Sequence, residues 1–262
     1  MRSEPFRVGL IVPSSNTTME TEIPEMLRRR SELTGETFTV HSSRVRLLNV
    51  TKEELTQMVC DSDRCAVELA DAEVDVMAYA CLVALVSQGC GYHEQAEARL
   101  ADVAAANGCP VPVVSSAGAL VRGIRALGAT KVALVAPYMK PLTALVVDYL
   151  RDSGIEVVDF VSLEIPRNVD VARHDPMRLI GIAAKLDTSE ADAVVLSACV
   201  QMRSLPAIQK AQDELGLPVL SAAVATTYEI LDRLGLEPVV HDAGALLAGS
   251  VESKRVAAAA PG

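Results

Sequence analysis

Short apolar runs and amphipathic stripes alternate along this chain. The apolar runs cover Arg7–Val12, Phe38–Ser43, Val76–Ala80, Val111–Val114, Lys131–Ala136, Glu156–Ser162, Ala193–Ser197 and Pro218–Ser221. Their length and β-rich content predict strands. Helical periodicity fills the gaps. Between the second and third runs, Thr51-Lys52-Glu53-Glu54 has the form of a capping box, with a hydroxyl placed three residues before a carboxylate. Behind it Leu55, Met58, Val59, Ala66 and Leu69 share one helical face. Strand and helix in alternation predict parallel α/β layers.

The pattern also repeats. Val8-Gly9-Leu10-Ile11-Val12-Pro13 is echoed by Val132-Ala133-Leu134-Val135-Ala136-Pro137, and Leu47-Leu48-Asn49-Val50-Thr51 by Pro166-Arg167-Asn168-Val169-Asp170. Two strands ending in cysteine follow, and then Pro112-Val113-Val114-Ser115-Ser116 is echoed by Pro218-Val219-Leu220-Ser221-Ala222. Each match is weak alone, but the ordered set points to an internal duplication. The expectation is two pseudo-symmetric, Rossmann-like parallel-sheet domains with a site between them.

Composition narrows the classes. A chain of 262 residues suits one large or two small domains. Aromatics are 3% and tryptophan is absent, so small aliphatic side chains must fill the core. The net charge of −10 comes without a basic stripe, which argues against a nucleic-acid partner. Arg28-Arg29-Arg30 reads as a solvated helix end. An acidic chain still holds a small anion if N–H groups and helix starts line the pocket. No apolar run is long enough to span a membrane, and no signal peptide precedes the first strand. A cytoplasmic protein with reduced thiols is expected. The stretch from Glu252 to Gly262 reads as a frayed tail.

The candidate chemistry lies at the repeated strand ends. Cys81 closes Val76-Met77-Ala78-Tyr79-Ala80, and Cys199 closes Val194-Val195-Leu196-Ser197-Ala198. A thiol leaving a buried parallel strand points into the crevice where α/β sheets bind ligands. A helix starting there would favour the thiolate, so both are expected to outreact a buried Cys65. Free cysteines are commonly just small buried hydrophobes; recurrence at matched strand ends favours chemistry. Cys65 falls on the core stripe of its helix and Cys60 on the opposite face. Cys109 sits in an Asn-Gly-Cys-Pro turn. Cys90 and His93 are spaced like half a metal site, with no second half evident.

The loop after the first strand, Pro13-Ser14-Ser15-Asn16-Thr17-Thr18, places hydroxyls and an amide where a ligand should sit. Helix capping is the plainer role for it. It lacks the glycines of a dinucleotide loop, and no phosphate loop occurs elsewhere. Tyr138 follows the matching strand of the second half. Asn168 and its mate Asn49 fit ordinary turn chemistry as well as binding. Arg203 is placed on the first turn of a helix after Cys199, with solvent exposure favoured. No histidine pairs with either thiol by spacing. Neither a metal nor a cofactor is expected.

These segments resemble the aspartate/glutamate racemase superfamily. Within it, Gly9-Leu10-Ile11-Val12-Pro13-Ser14-Ser15-Asn16-Thr17-Thr18-Met19-Glu20, Ala78-Tyr79-Ala80-Cys81 and Leu196-Ser197-Ala198-Cys199-Val200-Gln201 resemble maleate cis-trans isomerases, over about residues 6 to 250. The resemblance implies Cys81 as nucleophile and Cys199 as its acid/base partner. It implies that Asn16, Tyr138 and Asn168 hold substrate carboxylates, helped by the N–H groups of Leu82, Val83 and Val200 at helix starts. It implies a first domain of residues 1–117 with 223–262, a second of 118–222, and a homodimer. The substrate implied is maleate, a small dicarboxylate, turned to fumarate by addition, rotation and elimination. A decarboxylase branch keeps only the second cysteine. A two-thiol racemase of an acidic amino acid or hydantoin stays open, as does a non-catalytic dicarboxylate-binding protein.

Overall fold

A computed structural model describes residues 4–249, so the expected tail at Glu252–Gly262 lies outside the described residues. The strands are β1 (Phe6–Pro13), β2 (Phe38–Val45), β3 (Val76–Tyr79), β4 (Val113–Ser115), β5 (Lys131–Ala136), β6 (Glu156–Ser162), β7 (Ala193–Ser197) and β8 (Val219–Ser221). The helices are α1 (Met19–Thr34), α2 (Lys52–Asp71), α3 (Leu82–Val86), α4 (Tyr92–Ala106), α5 (Ser116–Ala126), α6 (Lys140–Asp152), α7 (Asn168–Val171), α8 (Arg178–Ala183), α9 (Leu205–Leu215) and α10 (Ala222–Arg233).

Two four-stranded sheets result, ordered β2-β1-β3-β4 and β6-β5-β7-β8. Every strand pair is parallel. The second order repeats the first, strand for strand, as the sequence echo predicts. Inner strands β3 and β7 are buried throughout and carry no charge, while edge strands β2 and β6 stay half exposed. That is the pattern of parallel sheets covered on both faces. Gly9 in β1 marks close packing: a Cβ there would meet Leu69 and Val74 side chains at 3.2 Å, so its absence lets α2 lie tight on the sheet.

Ser115 and Ser221 cap α5 and α10 by accepting from the N–H groups of Gly118 and Val224. These two helices pack together, and α10 also reaches α1, β3, β4 and β8. Where they meet, Thr226 donates to the Ser116 hydroxyl at 3.0 Å. Beside them Arg122 bridges Glu97 and Glu229 at 2.9 and 2.8 Å. Among the described residues, no helix is long and apolar enough to cross a membrane.

Several local expectations change. Thr51 does accept from the Glu54 N–H, but the Glu54 carboxylate turns away to the N–H groups of Leu48 and Asn49, so the capping box is half formed. The preceding loop offers more free donors than the single N–H of Thr51. Arg30 is not solvated. It is 2% exposed, pairs with Glu36 and donates to the Glu237 and Val239 carbonyls, because α1 packs against the chain after α10. Strands β1 and β4 differ from expectation by one or two residues at both ends, and β2, β3 and β8 at one end. Cys65 is buried and Cys60 exposed, as their faces of α2 require.

Candidate active site

The two cysteines meet in one cavity between the sheets. Pro13, Asn16, Leu47, Val50, Cys81, Leu82, Val83, Tyr138, Asn168, Cys199, Val200 and Gln201 line it. Its volume is about 20 Å³, far below the about 300–1,000 Å³ of drug-sized ligand sites, so the lining residues close tightly on one another. No lining residue carries a formal charge at neutral pH. An anion held here is therefore held by N–H and O–H dipoles rather than by an ion pair.

β3 delivers Cys81 to the N-cap of α3, with extended backbone at φ −147°. Its Sγ makes no capping hydrogen bond, though the Ala84 N–H points toward it and favours the thiolate, and the thiol is 3% exposed. The first-turn N–H groups of Leu82 and Val83 stand beside it, free of intrahelical partners by geometry. Burial pushes the Cys81 thiol up to about 12, and a charge on nearby Cys199 adds to the rise. The Ala84 N–H opposes it. The sequence expectation that a helix start favours the thiolate is thus corrected: desolvation outweighs one short turn of dipoles.

Cys199 leaves β7 in the same way but meets a different turn. No helix begins at Val200; residues 200–202 form a turn and a bend, and α9 starts at Leu205. Pro206 falls in the first turn of α9, where it is tolerated because its missing N–H has no helical partner. The N–H of Val200 therefore stands in a turn, and Arg203 lies exposed before the helix rather than on it. Cys199 Sγ accepts from the Gln201 N–H at 3.4 Å, from the Met202 N–H and from the Tyr138 hydroxyl. Burial raises this thiol too, against those three donors. Burial also holds Tyr138 well above the ordinary tyrosine range, with Cys199 adding to the effect.

The asparagines are tightly placed. Asn16 Oδ1 accepts from the Thr18 and Met19 N–H groups at 2.9 and 3.0 Å, capping α1. Its Nδ2 donates to the Val200 carbonyl at 3.2 Å and keeps a second hydrogen for a ligand. Asn168 opens α7, rather than a loop, and donates to Ser15 Oγ at 2.8 Å. Its repeat mate Asn49 lies outside the cavity and bonds Glu54.

Gln201, Leu47 and Val50 line the cavity without having been singled out from sequence. A polar side chain among apolar neighbours just after a thiol was the available signal for Gln201. Cys90 pairs with Asp152, and His93 with Tyr149, so the two do not converge on a common point. Among the described residues no group of three His, Cys, Asp or Glu is placed to hold a metal ion.

The family model described as arylmalonate decarboxylase matches residues 8–247. Fold and site together define an enzyme of the aspartate/glutamate racemase superfamily with two cysteines lining one cavity. A maleate isomerase of Geobacillus stearothermophilus is 66% identical over 93% of this chain and 98% of its own. The crystal structure of a cysteine-to-alanine variant of the maleate isomerase from Pseudomonas putida S16, with maleate, has a TM-score of 0.93 at 57% identity, covering 94% of this chain and 99% of its own. A cysteine-to-serine mutant of the Nocardia farcinica maleate cis-trans isomerase, with a covalently bound succinylcysteine intermediate, has a TM-score of 0.90 at 46% identity, covering 93% and 98%. The chain belongs to the maleate isomerases, within the family that the arylmalonate decarboxylase model describes.

Proposed function

We propose that this protein converts maleate to fumarate without a cofactor, using Cys81 as nucleophile and Cys199 as acid/base partner. The observation that carries the reading is the pair of thiols in one small cavity whose other polar groups are neutral donors. The succinylcysteine on the Nocardia relative supports covalent chemistry of this kind.

The cis double bond of maleate turns only if it gains single-bond character. Cys81 thiolate adds to C2, and the π pair moves onto C3 and its carboxylate as an enediolate. Second N–H groups of Asn16 and Asn168, the Tyr138 hydroxyl and the N–H groups of Leu82, Val83 and Val200 are the donors for the two carboxylates. Those facing the enediolate stabilise it more than the ground state. Rotation about C2–C3 swings one carboxylate, the pair returns, and Cys81 leaves as fumarate forms. A neutral resting Cys81 makes proton removal part of the reaction. The pair must therefore lose one proton to solvent before addition, leaving Cys81 as thiolate and Cys199 as thiol, and Cys199 is the titratable neighbour placed to handle any proton at C3.

The domain division 1–117 with 223–262 against 118–222 belongs to the same proposal. It is supported by one sheet in each part, with α5 and α10 as the crossings. So do a homodimer and a cytoplasmic setting, the latter supported by six cysteines all free of disulfides. Proton NMR of purified protein with maleate, after dialysis against a strong chelator, tests the function. Growth of the fumarate signal is expected; unchanged maleate, or conversion only after zinc is restored, would overturn it.

A further inference from the structure

Gln201 uses both side-chain hydrogens and its side-chain oxygen in hydrogen bonds. Its Oε1 accepts from the Thr17 N–H at 3.0 Å. Its Nε2 donates one hydrogen to the Ser15 carbonyl at 2.9 Å and the other to the Asn168 carbonyl at 3.0 Å. The residue is 2% exposed. Its backbone joins the same knot: the N–H faces Cys199 Sγ, and the carbonyl accepts from Thr18 Oγ1 at 2.7 Å.

Three turns meet at this one carboxamide. The β1–α1 turn carries Asn16, the start of α7 carries Asn168, and the turn after β7 carries Cys199. The first belongs to one sheet and the other two belong to the second. The two asparagine turns touch elsewhere through the bond from Asn168 to Ser15 Oγ. A planar amide with two donors on one side and an acceptor on the other fixes their spacing in a way no apolar side chain can.

We infer that Gln201 is a positioning residue that sets the distance between the two carboxylate-holding turns, and so the preference for a diacid over a monoacid. The inference rests on the proposed maleate chemistry, since the diacid is the substrate assigned there. Acting across both turns, the amide matters most for a substrate that must bind both at once. Losing buried hydrogen bonds of this kind is enough for about tenfold or more in affinity.

The test compares wild type, Gln201→Met and Gln201→Glu. Methionine keeps the length and removes all three bonds. Glutamate keeps an acceptor for Thr17 and removes both donors when ionised. Wild-type turnover of maleate is measured first, because its absence sinks the proposed function independently. Hydrogen exchange by mass spectrometry then reads the clamp without substrate. In Gln201→Met the peptides spanning 14–19 and 166–172 are expected to exchange faster, with the remaining peptides unchanged. In Gln201→Glu the second peptide should loosen more than the first. Kinetics with maleate and its monomethyl ester read the consequence: KM for maleate rises about tenfold or more, and the ratio of the two kcat/KM values narrows by about tenfold. Unchanged exchange in both peptides overturns the clamp. An equal loss on diacid and monoester overturns the specificity role. If methionine loosens the whole protein, the glutamate variant alone decides by the same two readings.

Discussion

The turns after Cys81 and Cys199 descend from matching strands yet are built differently. After Cys81 the chain is Leu82-Val83-Ala84-Leu85-Val86, all apolar and buried, and enters α3 at once. Its thiol meets one N–H from its own helix. After Cys199 the chain makes a polar turn tied to both sheets. Ser197 Oγ donates to the Cys199 carbonyl at 2.8 Å, and Asn16 donates to Val200. Glu22 of α1 accepts from the Ser204 and Leu205 N–H groups at 2.6 and 2.8 Å, closing the first turn of α9 from the other sheet. Burial pushes that carboxyl up, and the two N–H groups pull against it. One thiol thus sits in a dry, self-contained helix start, and the other in a hydrogen-bonded knot with a phenol on its sulfur. Dry surroundings strengthen a nucleophile once formed. A ring of donors suits a group that gains and loses charge.

The largest effect should come from the dry turn. Cys81→Ala removes the sulfur proposed to add to C2, so turnover should fall to the uncatalysed baseline in the NMR assay, with the circular dichroism spectrum retained. Surviving turnover would mean that the two turns have been assigned the wrong way round. Cys199→Ser keeps the nucleophile but substitutes a poor acid. General acid–base help is worth about 10²–10⁴-fold, so kcat should fall within that range.

The matched pair of turns was readable from the chain, whereas the contrast between them was not, since a helix start was expected after both thiols. The echo of apolar runs gave eight strands in two matching sets, because buried parallel strands are written as continuous apolar segments. Both thiols were visible because they recur at strand ends. The thiol ionisation was misjudged: a helix start can be read from local sequence, but the desolvation opposing it depends on chain from the other sheet closing over the site. Arg30 was misjudged likewise, since Glu237 and Val239 lie far along the chain. Gln201 went unassigned because its partners Ser15, Thr17 and Asn168 come together only when the two sheets face each other. Asn168 and Asn49 look equivalent in the repeat, yet only one reaches the cavity.

A smaller effect tests the donor ring. Tyr138→Phe removes one hydroxyl from the Cys199 sulfur, and a hydrogen bond to a charged group is worth about 1.5–3 kcal/mol. A fall of roughly ten- to hundredfold in kcat/KM is expected, while an unaltered rate would show that the phenol is idle. The pH dependence tests the dry turn. A Cys81 thiol held near 12 is mostly protonated at neutral pH, so its thiolate fraction, and with it kcat/KM, should climb steadily from pH 7 to 9. A plateau below pH 8 would show a thiol far more acidic than burial allows. The mildest test is labelling with iodoacetamide. Exposed Cys60 should react first, whereas Cys81 and Cys199, 3% and 4% exposed, should lag and be slowed further by maleate. Labelling of the buried pair ahead of Cys60 would contradict the closed site.

The central claim is that Cys81 forms the bond to substrate while Cys199 moves protons. Intact-protein mass spectrometry of the Cys199→Ser and Cys81→Ala variants, each quenched in acid after mixing with maleate, tests it most directly. The account predicts a mass gain of one maleic acid in the first variant, mapped by peptide digestion to Cys81, and no gain in the second. An adduct on Cys199 in the Cys81→Ala protein would contradict it.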